Sequence, residues 1–257
     1  RDITERRVMD RMKGEFISTV SHELRTPLTS IRGSLGLITG GAVGKVSQNA
    51  RELIDMAEKN TERLINLVND ILDMEKIESG ATEFRFSSLD LKALVEQAIE
   101  ANHGYAEEHG VEFVLAQSEP GLLVHGDGDR LIQVLANFLS NAAKFSPKGE
   151  KVEISVTAGK GTARVAVSDQ GTGIPEEFHE TVFAKFTQAD SSDTRQVGGT
   201  GLGLNISKTI IDKHGGEIGF DTKSGKGTTF YFNLPLLDDN AGATVGRRSH
   251  RDRRLVE

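Results

Sequence analysis

A histidine stands beside a carboxylate in the run Ser21-His22-Glu23-Leu24-Arg25-Thr26-Pro27-Leu28. On a helix, at about 100° per residue, His22 lies about 200° from both Val20 and Leu24. It therefore points away from the apolar stripe that those two residues mark. An exposed imidazole with Glu23 next to it, able to fix the tautomer and take the proton, is a suitable nucleophile. Thr26 follows one turn on, on the same face. Alone, such a pair is more often a solvated surface. Pro27 argues for more, because a mid-helix proline costs about 3 kcal/mol and something must tolerate or need it there. A zinc-protease reading fails, because Thr26 stands where His-Glu-x-x-His needs its second histidine.

Three polar, glycine-rich clusters lie further along. In Asn137–Phe145, Asn137 and Asn141 are four apart on one helix face and Lys144 is three further. Amide oxygens are hard neutral ligands and Lys is a point charge, a set that suits Mg²⁺ and a triphosphate. The bland alternative is a solvated face. Val167–Pro175 follows a strand pattern. Its Asp169 accepts hydrogen bonds only and could receive the amino group of adenine, while Gly171 and Gly173 remove Cβ where a planar base would approach. A tight turn is the alternative. Gly198–Leu204 enters a helix, whose first N–H groups can cradle phosphates. A dinucleotide fingerprint would need glycine at Leu204 and a preceding strand, and Gly40–Lys45 misses the Walker spacing. Between the second and third clusters, Ala189–Gln196 is too polar to pack and reads as a lid over a ligand, or as an ordinary surface loop.

The elements that position these groups divide at Ser79-Gly80, a helix stop. Before it, Met9, Met12, Phe16, Val20, Leu24, Leu28, Ile31, Leu35 and Ile38 step by three or four. A glycine-rich break at Thr39–Gly44 precedes a second seam of Ala57, Thr61, Leu64, Val68 and Ile71. The pattern predicts an antiparallel helical hairpin that hides its stripes by pairing with a second copy in a four-helix bundle. After it come strand patterns at Glu83–Phe86, Val111–Leu115, Leu122–His125, Val152–Thr157, Ala163–Val167, Glu217–Asp221 and Thr228–Leu234, with helical stretches at Leu91–His109, Arg130–Phe145 and Leu202–His214. Gly159-Lys160-Gly161 is a hairpin turn signal. Hairpins and helical crossovers together predict a mixed sheet, so the fold class is α+β: a helical hairpin followed by an α/β-sandwich domain. The stretch 238–257 lacks periodicity and ends with five arginines, which predicts a disordered tail.

Composition narrows the function. The 257 residues hold no Cys, no Trp and two Tyr. Disulfide scaffolds, Cys-ligated zinc and thiol nucleophiles are excluded, and aromatic base-stacking platforms or methyl-lysine cages are disfavoured. A net charge of −7 argues against non-specific nucleic-acid binding. No apolar run reaches the ~20 residues needed to span a bilayer, and no signal peptide opens the chain, so a cytoplasmic protein is expected, with any anchor lying outside this segment.

Taken together the motifs resemble the catalytic core of a two-component sensor histidine kinase, a histidine-phosphotransfer hairpin followed by a Bergerat-type ATP-binding domain. The likeness covers roughly residues 9 to 236. Phe16–Leu28 resembles the family's H box, Asn137–Phe145 its N box, Asp169–Gly173 its first G box, Phe183-Ala184-Lys185-Phe186 its F box and Gly199–Leu204 its second G box. The resemblance implies that His22 accepts the phosphoryl group, Glu23 is the general base and Thr26 orients water for dephosphorylating a partner. It implies that Asn141 holds Mg²⁺, with Asn137 and Lys144 near the triphosphate of ATP. Asp169 would read adenine, Gly171 and Gly173 shape that wall, and Gly199, Gly201 and Gly203 line the phosphates, with Phe186, Thr200, Leu202 and Leu204 around the nucleotide. The implied organisation is a signalling linker over 1–15 from a PAS-like sensor outside the chain, a dimerisation and phosphotransfer domain over 16–80, an ATP-binding domain over 81–237 and the tail. The implied partners are a second copy and a response-regulator receiver domain. A non-catalytic nucleotide-binding scaffold, or a chaperone- or topoisomerase-like ATPase, would be the rival.

Overall fold

The computed structural model describes residues 2–44, 46–187 and 200–237, with the side chains of 2–16, 18 and 22 left aside. The expected lid Ala189–Gln196, Gly199, the tail 238–257 and the outward orientation of the His22 side chain therefore lie outside the described residues.

Two long helices open the chain. Helix α1 (Asp2–Thr39) continues through Pro27, and α2 (Gln48–Glu78) starts at Ser47, whose hydroxyl accepts from the Ala50 N–H at 3.3 Å. That bond satisfies one of the N–H groups a helix start leaves without a partner. The helices pack as an antiparallel hairpin. Its seam is offset from the expected stripe: Ser21 is buried and Arg25 reaches across to Asn69, while Val20, Leu24 and Ile31 are 38%, 46% and 47% exposed.

The second region alternates strands and helices: β1 (Ser87–Asp90), α3 (Leu91–Ala101), α4 (His103–His109), β2 (Glu112–Ser118), β3 (Leu123–Gly126), α5 (Gly128–Phe145), β4 (Lys151–Ala158), β5 (Thr162–Ser168), α6 (Gly203–Lys213), β6 (Glu217–Lys223) and β7 (Gly227–Pro235). One sheet has the order β2-β4-β5-β7-β6, parallel between β2 and β4 and antiparallel elsewhere, and β1 and β3 form a separate antiparallel pair. The sheet is mixed, as expected. Alternate residues of β4, β5 and β7 are buried beneath α3, α5 and α6, giving two layers around Phe138, Leu139, Ile154, Ile210 and Phe232.

Two expectations need correction. Glu83–Phe86 is not a strand. Phe84 and Phe86 instead pack on the ring of His214, and the Arg85 N–H donates to Asp127 Oδ2 at 2.8 Å. The helix expected over Leu91–His109 breaks at Asn102, whose amide donates to the Ala98 carbonyl at 2.8 Å and closes α3.

The regions share a core, because Met74 and Ile77 of α2 are buried in the same cluster as Leu94, Leu135 and Leu202. Polar contacts reinforce the docking: Thr200 donates to Asp70 at 2.6 Å, Gln133 donates to Asp73 at 3.0 Å, and Lys185 pairs with Glu78 at 2.6 Å.

Candidate functional site

The second region gathers the three clusters at one end of its helix layer. Asp169 follows β5 directly and is buried. Its Oδ1 accepts from the Gly171 N–H at 2.8 Å and the Thr228 N–H at 3.1 Å. Burial pushes its carboxyl pKa up, and the two N–H donors oppose the shift without cancelling it. With Oδ1 committed, Oδ2 is the oxygen left to receive a ligand's amino group. A cavity of about 250 Å³ opens beside it, lined also by Thr222, Lys226, Gly227 and Thr228.

The glycines have reasons the sequence did not reveal. A Cβ on Gly171 would stand 2.7 Å from the Phe145 carbonyl oxygen, and one on Gly173, at φ 76°, would stand 2.6 Å from the Lys223 carbonyl oxygen. The chain's own backbone already demands these two residues, before any base approaches. Gly203 is bare because the Asn137 amide lies against it.

Asn137, Asn141 and Lys144 share one face of α5 and are all half-buried. Asn137 donates to Ser207 on α6 at 3.0 Å and accepts from the Asn141 amide at 3.4 Å. Asn137 is thus bonded within the protein on both arms of its amide. Lys144 lies 5.5 Å from the centroid of the Phe145 ring. Burial and the nearby Arg63 lower its pKa. Among the described residues no group of three His, Asp or Glu could hold a metal. The donor set still fits Mg²⁺, which takes one or two protein oxygens and completes its shell with water and phosphate; Asn141 Oδ1 is such an oxygen.

In the second glycine cluster, Leu202 is fully buried in the core and can meet a ligand only through its backbone. Leu204 also packs on that core. Gly201, at φ 70°, accepts from the Phe186 N–H at 2.9 Å, and Phe186 itself is held at φ 61° and is 61% exposed. A left-handed phenylalanine is strained, and the close passage of Gly201 is what holds it. Thr200 turns its hydroxyl to Asp70. Burial raises the pKa of that carboxyl, with Asp73 adding to the effect and the Thr200 bond opposing it.

On the hairpin, Glu23 and Thr26 are exposed on α1, in the turns around His22. Arg25 binds Asn69 with two nitrogens, at 3.2 and 2.8 Å, and Asp70 is the next residue of α2. Thr200 is therefore anchored at the height of the His22 turn.

Sequence reasoning missed Asp70, Ser207, Gly227 and Thr228. Only Gly225-Lys226-Gly227-Thr228 carried a signal, as one more glycine-flanked polar run. A larger cavity of about 530 Å³ is lined by Glu96, Ile99, Glu100, His103 and Leu115. It contains none of the clusters, and its two carboxylates would repel a phosphate.

Two family profiles match the chain. The profile "His Kinase A (phospho-acceptor) domain" matches residues 12–80 and "Histidine kinase-, DNA gyrase B-, and HSP90-like ATPase" matches residues 126–238. The sensor histidine kinase WalK of Bacillus subtilis is 39% identical over 240 residues, covering 93% of this chain and 39% of WalK. The circadian input-output histidine kinase CikA of Synechococcus elongatus is 37% identical over 225 residues, covering 87% of this chain and 30% of CikA. The chain thus spans well under half the length of these relatives. Full-length ShkA, crystallised in complex with AMPPNP, superposes with a TM-score of 0.70 at 31% identity over 86% of this chain and 46% of ShkA. Histidine kinase AdeS of Acinetobacter baumannii superposes with a TM-score of 0.59 at 26% identity, over 84% of this chain and 98% of AdeS.

Proposed function

This chain belongs to the two-component sensor histidine kinases and carries their catalytic core, and from that premise we propose that it phosphorylates His22 from Mg²⁺-ATP. In this reading a ring nitrogen of His22 attacks the γ-phosphorus, the bond to the β,γ-bridging oxygen breaks, and ADP leaves. Glu23 takes the imidazole proton. Asp169 holds the adenine amino group, and Lys144 stabilises charge on the transferring phosphoryl group. Mg²⁺, held by the Asn141 amide oxygen, would neutralise the triphosphate. The phosphoryl group then passes to an aspartate of a separate response regulator, and Thr26 positions the water that later removes it. The single observation that carries this reading is the Thr200–Asp70 contact, which anchors the second glycine cluster beside the Arg25–Asn69 pair, one turn from His22.

The exposed stripe of Val20, Leu24 and Ile31 supports a homodimer. No helix among the described residues is long and apolar enough to cross a membrane. We place the core in the cytoplasm, downstream of a PAS-like sensor that feeds the linker 1–15, with 16–80 as the phosphotransfer domain and 81–237 as the ATP-binding domain.

Radiolabelled ATP tests the proposal. Label on the protein should survive alkali, be lost in acid and be absent from His22→Ala. A scaffold that binds nucleotide without turnover would take no label. Thr26→Ala should label normally but slow loss of phosphate from the cognate regulator on the order of tenfold to a hundredfold, since one water-positioning hydrogen bond is removed. Equal slowing of all steps, with a lower melting temperature, would assign Thr26 to helix stability instead.

A further inference from the structure

Ser207 lies one turn into α6, fully buried, and its hydroxyl accepts from the amide nitrogen of Asn137 at 3.0 Å. Asn137 in turn accepts from the amide nitrogen of Asn141 at 3.4 Å. Its carboxamide lies against Gly203, oxygen nearest, where a Cβ would overlap that oxygen. Three side chains thus form a line from α6 to α5, and the line has a polarity. A carboxamide donates from one arm and accepts on the other. With the Asn137 nitrogen given to Ser207, its oxygen must face Asn141. With the Asn141 nitrogen drawn to that oxygen, the Asn141 oxygen is turned the opposite way.

That polarity matters for a cation. An amide nitrogen cannot ligate Mg²⁺ and an amide oxygen can. A half-buried asparagine without an orienting partner presents either arm. We infer that Ser207 is a positioning residue for the metal: through Asn137 it orients Asn141 so that its oxygen, not its nitrogen, faces the triphosphate. The inference rests on the reading of Asn141 as the Mg²⁺ ligand. Ser207 touches neither metal nor nucleotide. It also gives the second glycine cluster a part in metal binding, because Ser207 and Gly203 belong to the helix that this cluster opens.

The test measures affinity of the whole chain for a non-hydrolysable ATP analogue, in chelator and in saturating Mg²⁺, and takes the ratio of the two as the metal's contribution. Asn141→Ala should abolish that ratio. Ser207→Ala should reduce it about threefold to tenfold, the worth of one polar contact, while affinity in chelator stays the same. In the Asn141→Ala background, Ser207→Ala should change nothing further, because the two act through one pathway. Ser207→Cys keeps the side-chain shape but offers a poorer acceptor, so it should fall between wild type and Ser207→Ala. It also serves if the alanine variant does not fold. An undiminished ratio in Ser207→Ala, or an equal loss with and without Mg²⁺, would overturn the positioning role. If Asn141→Ala keeps its full ratio, the metal assignment itself has failed, and the two failures are distinct.

Discussion

In the helical hairpin, Leu24, Ile31, Leu53, Met56 and Leu64 are each between 46% and 67% exposed, whereas Phe138, Leu139, Ile154 and Phe232 of the sheet domain are at most 1% exposed. A helix layer on a sheet encloses its own core. Two helices side by side cover one seam and leave the other apolar stripe in water. Near its end the hairpin is covered by the sheet domain, which buries Met74 and Ile77. Stability in the sheet region is internal, whereas in the hairpin it depends on what packs against it.

Breaking the hairpin's outer face should have the largest effect. Leu24→Glu with Ile31→Glu puts charges where a second copy would bury apolar side chains. Dimer dissociation should rise on the order of a thousandfold, as several kcal/mol of desolvation demands. Sedimentation would read the monomer, and the melting of the sheet domain should be unchanged. A dimer that persists would locate the interface elsewhere.

Within the sheet domain, Gly227 is the sharpest point. It has φ 100° and its Cβ would overlap the Asp169 carbonyl oxygen. Gly227→Ala should destabilise that domain by about 2–4 kcal/mol through strain and overpacking. A two-step thermal melt should show the sheet transition falling while hairpin helicity remains.

Asp169 separates binding from stability. Burial raises its folded pKa, so the folded chain holds this proton more tightly than the unfolded chain. This group therefore adds stability as pH falls from neutral into the window between the ordinary carboxylate value and its raised one. Nucleotide binding needs the ionised acceptor and should weaken through the same window. Asp169→Asn should match or exceed wild type in melting temperature at neutral pH, yet lose about tenfold to a hundredfold in nucleotide affinity. Parallel melting and titration series check both signs.

The contact between regions should respond least. Asp70→Ala removes one hydrogen bond to Thr200, worth about 1 kcal/mol. Amides around Gly201–Gly203 should exchange hydrogen about fivefold faster, with no change in the sheet core. Unaltered exchange would show that Met74 and Ile77, with the Gln133–Asp73 and Lys185–Glu78 contacts, hold the domain without this bond.

Much of this was legible beforehand, and the failures have particular causes. The step of three or four through Val20, Leu24, Leu28 and Ile31 announced a helix, and Ala163–Val167 announced a strand, because these periods come from backbone geometry alone. Glu83–Phe86 alternates like a strand. The alternation reports only that two rings share a side, and the surface they meet is the His214 ring. Asn102 is polar in a helical context, and only its bond to the Ala98 carbonyl reveals a helix end.

Residue type and spacing along the chain determined which groups could do chemistry: a histidine beside a carboxylate, an asparagine pair one turn apart, an aspartate after a strand, and glycines opening a helix. They also determined the division near residue 80, where the period of the apolar residues changes. Tertiary structure alone decided what each group faces. Asn137 turned inward because Ser207, 70 residues away, offers it an acceptor. Gly171 is bare because the end of α5 passes over it, and Thr200 met Asp70 across 130 residues. Such contacts follow from the packing of helix on sheet and of domain on hairpin, and residues so far apart in the chain leave no periodic trace of them.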